Sequence, residues 1–119
     1  MEKLYTEYEE RFCKLVSYTC TRPGMYTYTP TVENIVHFLA GAHHSLFPSL
    51  GSESPMIRYR DRVLDPEGSA ANLAWERILM DSFGDVKNSE EWFNSFKDSF
   101  QDFCKDTYGE NFAIQAIQR

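Results

Sequence analysis

The sequence predicts an all-α fold: a single-domain bundle of four main helices with one or two short accessory elements, spanning residues 1–119. Three observations carry the prediction. Apolar residues recur at helical spacing in four separate stretches. Between those stretches sit Pro23-Gly24, Pro48, Pro55, Pro66-Glu67-Gly68 and Gly84, the residues that punctuate helices. Nine Phe, seven Tyr and two Trp supply enough apolar bulk for one core without a metal or disulfide.

The first helix is expected from about Glu2 to Tyr18. Leu4, Tyr8, Phe12, Leu15, Val16 and Thr19 share an arc of ~120° at 100° per residue. Arg22-Pro23 ends it, because a residue before proline is pushed out of the α region. Gly24 is then expected to take the positive φ of a type II turn. A second helix follows, capped by Thr29 or Thr31 with Pro30 in its first turn. Its buried stripe is Val32, Ile35, Val36, Leu39, Ala42, His43 and Leu46, and Pro48 stops it. Residues 48–55 read as loop.

Residues 56–64 fit two patterns. A short helix would present Met56, Arg60, Val63 and Leu64; a strand would set Ile57, Tyr59 and Val63 against Arg58, Arg60 and Arg62. The helix is preferred. After a turn at 65–69, a third long helix is expected over 70–83, with Leu73, Ala74, Arg77, Ile78 and Met80 inward. The last main helix starts at a capping box of Asn88 with Glu91. Trp92, Phe93, Phe96, Phe100, Phe103 and Cys104 form its apolar arc, and Tyr108-Gly109 stops it. Residues 112–117 are a further short helix or strand.

Composition narrows the function. The net charge of −6 disfavours direct binding of nucleic acid or anionic membranes and favours basic proteins. No apolar run reaches the ~18 residues of a membrane span, and residues 1–5 lack a signal-peptide core, so a cytoplasmic location is expected. Cys13, Cys20 and Cys104 are an odd set without CxxC spacing, which favours reduced thiols.

Residue chemistry offers little catalysis. His37 and His44 share one helix side and His43 faces the core; no HExxH or paired-Cys spacing accompanies them, so they are read as structural or solvated. No GxSxG, ordered triad or reactive-Cys signature is present, and no catalytic residue, metal or cofactor is assigned. Arg58, Arg60 and Arg62 are read as surface charge offsetting nearby acids. Trp75 and Trp92 are read as core. Between Asp81 and Glu110 eight acids face three lysines. Glu91, Asp98, Asp102 and Asp106 fall opposite the Phe arc of the last helix. They make either a solvated face or a docking ridge for a cationic partner.

The run Arg22-Pro23-Gly24-Met25-Tyr26 is the most specific motif in the chain. A similar run occurs in gyrase-type ATP-binding folds, but this chain has neither their glycine-rich lid nor their downstream acidic-Gly motif. Together with Phe38-Leu39-Ala40-Gly41, Trp75-Glu76-Arg77-Ile78-Leu79 and Glu90-Glu91-Trp92-Phe93, the run resembles a group of small bacterial proteins encoded beside toxin genes, regarded as immunity proteins. The order covers roughly residues 1–104. Ala42 stands where that pattern carries an aromatic, and Thr27-Tyr28 replaces its small-residue turn.

The resemblance implies a non-enzymatic protein that binds and neutralises a cognate toxin domain. Arg22, Pro23, Gly24, Met25, Tyr26, Gly41, Trp75 and Trp92 would then be motif and structural positions, with Met25 and Tyr26 plugging the gap between the first two helices. An acidic surface suits a nuclease-like toxin with a basic cleft; Glu91, Asp98, Asp102, Asp106 and Glu53 are the expected contacts. The alternative is a phage-type or host regulatory inhibitor of a basic nucleic-acid-handling protein, with the same physics.

Overall fold

The computed structural model describes residues 6–48, 54–70 and 72–109. Among them the architecture is all-α, with five helices, a 3-10 turn and no strand. Helix α1 is Glu7–Thr21, α2 Val32–Leu46, α3 Pro55–Tyr59, α4 Trp75–Ser82 and α5 Ser89–Tyr108. The turn covers Pro23–Met25, and α3 runs on into a π-helical segment, Arg60–Leu64.

Helix α1 begins at a capping box that the sequence reading missed. Thr6 Oγ1 accepts from the Glu9 amide at 3.2 Å, and Glu9 returns a carboxylate oxygen to the Thr6 N–H at 2.8 Å. It ends at Thr21, three residues beyond Tyr18, with Arg22 capping ahead of the proline as expected. Its buried face is rotated from the expected one. Tyr8 is exposed, while Cys13 and Cys20 join Phe12 and Val16 in the core. The expected start at residues 2–5 lies outside the described residues.

The third long helix is shorter than expected. It begins at Trp75 and not at residue 70, because Asp65 holds the chain before it in a tight loop. Its carboxylate accepts from the Ser69 N–H, the Ser69 hydroxyl and the Ala70 N–H at 2.9–3.0 Å. Leu73, Ala74 and Arg77 are exposed, while Ile78 is buried and Met80 packs against the core as expected, and Trp75 and Leu79 complete the inner face. The helical reading of 56–64 holds and the strand does not; Met56 is buried as expected, but Tyr59 is buried with it and Val63 is exposed.

Helices α1 and α5 pack against one another, α2 packs on α1 and α4, and α3 closes one side. The core is largely aromatic. Tyr59 stands edge-on to Phe100 and Phe103, with centroids 5.0 and 5.3 Å away, and Trp92 meets Phe96 at 5.5 Å. The Trp92 indole N–H donates to the Met80 carbonyl at 3.3 Å, joining α5 to α4. Trp75 and Trp92 are core residues, as read from the sequence. Helix α5 starts at Asn88, but no side-chain cap bond forms there, so the Asn88–Glu91 capping box is corrected. It stops at Gly109, whose φ of +101° only glycine adopts readily. No described helix is long and apolar enough to cross a membrane.

Candidate functional site: an acidic helix face beside an exposed turn

Helix α5 divides cleanly along its length. Trp92, Phe93, Phe96, Phe100, Phe103, Cys104 and Tyr108 are buried, and Glu91, Asp98, Asp102 and Asp106 are all exposed on the other side. Asp98, Asp102 and Asp106 are spaced one turn apart, and Glu91 lies two turns before Asp98 on nearly the same line. None of the four makes an ion pair or side-chain hydrogen bond among the described residues. The carboxylates are thus brought together by a helix whose other face is locked into the core. Glu53, expected to join them, lies outside the described residues.

The Arg22–Tyr26 motif forms a different turn from the one expected. Gly24 is not in the left-handed region; the chain instead makes a 3-10 turn through Pro23, with the Met25, Tyr26 and Thr27 amides donating to Arg22 and Pro23 carbonyls. Pro30 precedes the Thr31 cap of α2 and does not enter its first turn. The plug is half corrected. Tyr26 packs on Phe38 at 5.6 Å between the first two helices, but Met25 points into solvent and is 72% exposed. Arg22 is exposed and makes no side-chain hydrogen bond or ion pair among the described residues. Gly41 sits in the middle of α2 facing open space, so no close approach demands a glycine there.

Two open clefts flank Pro30 and Ser89. One, about 350 Å³, lies between the turn and α5, with Pro23, Pro30 and Phe93 as its apolar walls and Glu90, Asn94 and Lys97 at its edge. The other, about 430 Å³, is walled by Val32 and Val86 with Glu33 and Lys87. Tyr28, two residues before Pro30, is fully exposed. Sequence periodicity could not find this feature, because it depends on how the 22–31 segment folds back over α5.

The histidines separate as read. His37 and His44 are exposed, and His43 is completely buried among Phe12, Phe47 and Trp75. His43 Nε2 is hydrogen-bonded to Ser54 Oγ, a pairing no motif announced, and its Nδ1 has no partner among the described residues. Burial, with a further contribution from His44, pushes its pKa down to about 4. Both groups of this Ser–His pair are buried. Among the described residues no group of three or more His, Cys, Asp or Glu side chains converges as a metal site.

The arginines of 58–62 are tied to neighbours. Arg58 Nη1 lies 3.7 Å from the buried Glu9 carboxylate and over the Tyr108 ring, and Arg60 pairs with Asp61 at 2.9 Å. Arg62 donates to Thr107 at 3.0 Å. Arg58 and Arg62 stitch α3 and its π-helical extension to α1 and α5, while the Arg60 pair stays within the extension. All three cysteines are free and buried; burial raises the Cys13 thiol and pushes Cys20 up to about 12.

Fold and surface together define an all-α protein whose concentrated external charge is a row of carboxylates on one rigid helix. Comparison with known proteins finds no matching family model, curated protein or solved structure.

Proposed function

We propose that this protein is a non-enzymatic inhibitor of the immunity type, which binds a basic toxin domain and occludes its active site or substrate entry. One observation carries the reading: the exposed, internally unpaired line of Glu91, Asp98, Asp102 and Asp106 on α5. Such a line raises the association rate with a basic cleft and selects its register. Carboxylates at one-turn spacing stand in for the phosphates that a nuclease cleft would otherwise hold. The aromatic packing beneath keeps the row rigid, so little ordering free energy is lost on binding. Acting on a toxin inside the cell, the protein would work in the cytoplasm.

The test is capture of the partner from the native host, followed by reconstitution from purified components. The expected result is a stoichiometric complex that abolishes the partner's toxic activity. A partner that is acidic at the contact, or that stays active when saturated, overturns the reading.

A further inference from the structure

We infer that the turn between α1 and α2, with the two clefts beside it, is the anchoring centre of that interface. Its occupant is an extended segment of a basic protein in which bulky apolar side chains are interspersed with Lys or Arg. The inference rests on the reading above and adds where, and by what side chains, the partner is gripped.

The apolar side chains of the turn are displayed and not merely left over. Met25 is 72% exposed and Tyr28 fully so, three residues apart, and the exposed Arg22 precedes them. Tyr and Arg are enriched at the energetic centres of protein interfaces, and Met is enriched among interface residues. The backbone that carries them is held fast. Thr27 Oγ1 donates to the Thr29 carbonyl at 2.9 Å, and Asn34 Nδ2 donates to the same carbonyl at 2.7 Å. The Tyr26 and Thr27 amides both donate to the Pro23 carbonyl. A loop this constrained loses little freedom on binding.

The clefts give the partner's own side chains somewhere to go. Both border Pro30 and Ser89, so a segment crossing there meets the Pro23/Phe93 walls on one side and the Val32/Val86 walls on the other. Charge decides the rest of the occupant. Asn94, at the edge of the first cleft, lies about 40–60° around α5 from Asp98 and Glu91 at 100° per residue. A segment that leaves the cleft past Asn94 therefore reaches Glu91 and Asp98, the first two carboxylates of the row, while Glu90 and Lys97 within the cleft offset one another.

Two blocked pentapeptides of equal charge test this on the full chain: Lys-Leu-Lys-Leu-Lys and Lys-Gly-Lys-Gly-Lys. Amide shifts of residues 20–31 and 89–97 report the site, and titration gives affinity. The leucine peptide should bind at least tenfold more tightly. That preference should vanish in Asn94→Arg and in Tyr28→Ala, both exposed positions whose replacement leaves the core untouched, and persist in the distant Val63→Ala. Equal affinities overturn the inference, as does a preference that survives Asn94→Arg, or no binding by either peptide. If the affinities are equal but fall together in Asp98→Lys/Asp102→Lys, the carboxylate row stands while the anchoring claim fails. The immunity reading itself is judged separately, by inhibition of the captured toxin.

Discussion

The Tyr59 hydroxyl lies 2.7 Å from Ser99 Oγ, bridging residues forty positions apart and fastening the short helix α3 to the middle of α5. Tyr59 is wholly buried, and desolvation raises its phenol pKa, so the hydroxyl stays neutral and needs this partner. The bond holds α5 one residue from Asp98, on the helix that carries the carboxylate row.

Removing the partner should cost more than removing the pair. Ser99→Ala leaves the Tyr59 hydroxyl unsatisfied, with an expected loss of about 1–3 kcal/mol. Tyr59→Phe should cost about 1 kcal/mol, and the double variant less than the sum. Urea unfolding of the four proteins checks this. Additive losses would mean the bond contributes nothing to stability.

His43 should make the fold sensitive to mild acid. Its folded pKa of about 4 lies below the value near 6.5 expected when unfolded. Between those limits the unfolded chain binds the extra proton, so the contribution of neutral His43 is complete above about pH 6.5. It declines as pH falls towards 4, by on the order of 3 kcal/mol for a shift of that size. The neighbours are Ser54, Phe12, Phe47, Trp75 and the exposed His44, none of which offers a compensating carboxylate. Unfolding free energy measured from pH 7 to 4 should show this slope, and His43→Leu should flatten it. An unchanged slope in the variant would assign the acid sensitivity elsewhere.

Charge reversal on α5 should separate binding from folding. Asp98→Lys/Asp102→Lys alters two exposed side chains that make no described ion pair, so stability should move by less than about 0.5 kcal/mol. Affinity for the captured toxin should fall, and the steepness of its salt dependence should fall with it. Unchanged affinity in a normally folded variant removes the row from the interface.

The thiols should be inert until the fold opens. Cys13, Cys20 and Cys104 are buried, and burial raises the first two, so little thiolate forms at neutral pH. Ellman's reagent should react slowly with the native protein and with all three thiols in denaturant. Fast native labelling at any of them would mean that the α1–α5 seam opens readily.

Loss of the α1 cap gives a local stability test. Thr6→Ala removes a hydroxyl that accepts from the Glu9 amide, and about 1 kcal/mol should be lost. The same change at Asn88 should have a smaller effect, since that side chain makes no cap bond. Thermal melts compare the two directly.

Much of the secondary structure was legible because helical periodicity is a local property. The α5 stripe from Trp92 to Cys104, the Pro23 stop after α1 and the Gly109 stop after α5 all follow from spacing and backbone sterics. So does the line of Glu91, Asp98, Asp102 and Asp106, which had to fall opposite the Phe arc once α5 was a helix. The misses have a different origin. The shortened α4 depends on Asp65 capturing the Ser69 and Ala70 amides, a bond set that competes with helix and leaves no periodic trace. Cys13 and Cys20 displaced Tyr8 from the α1 core face because the position of α5 decides which arc is covered.

Sequence alone determined that the chain is helical, aromatic in its interior and acidic along one helix, since each of these depends on residues a few positions apart. Tertiary structure decided which side chains of the Arg22–Tyr28 segment are displayed, and that His43 is sealed against Ser54. It also decided that clefts open on either side of Pro30. Those outcomes depend on contacts between segments distant in the chain, whose free energy exists only once the helices have packed.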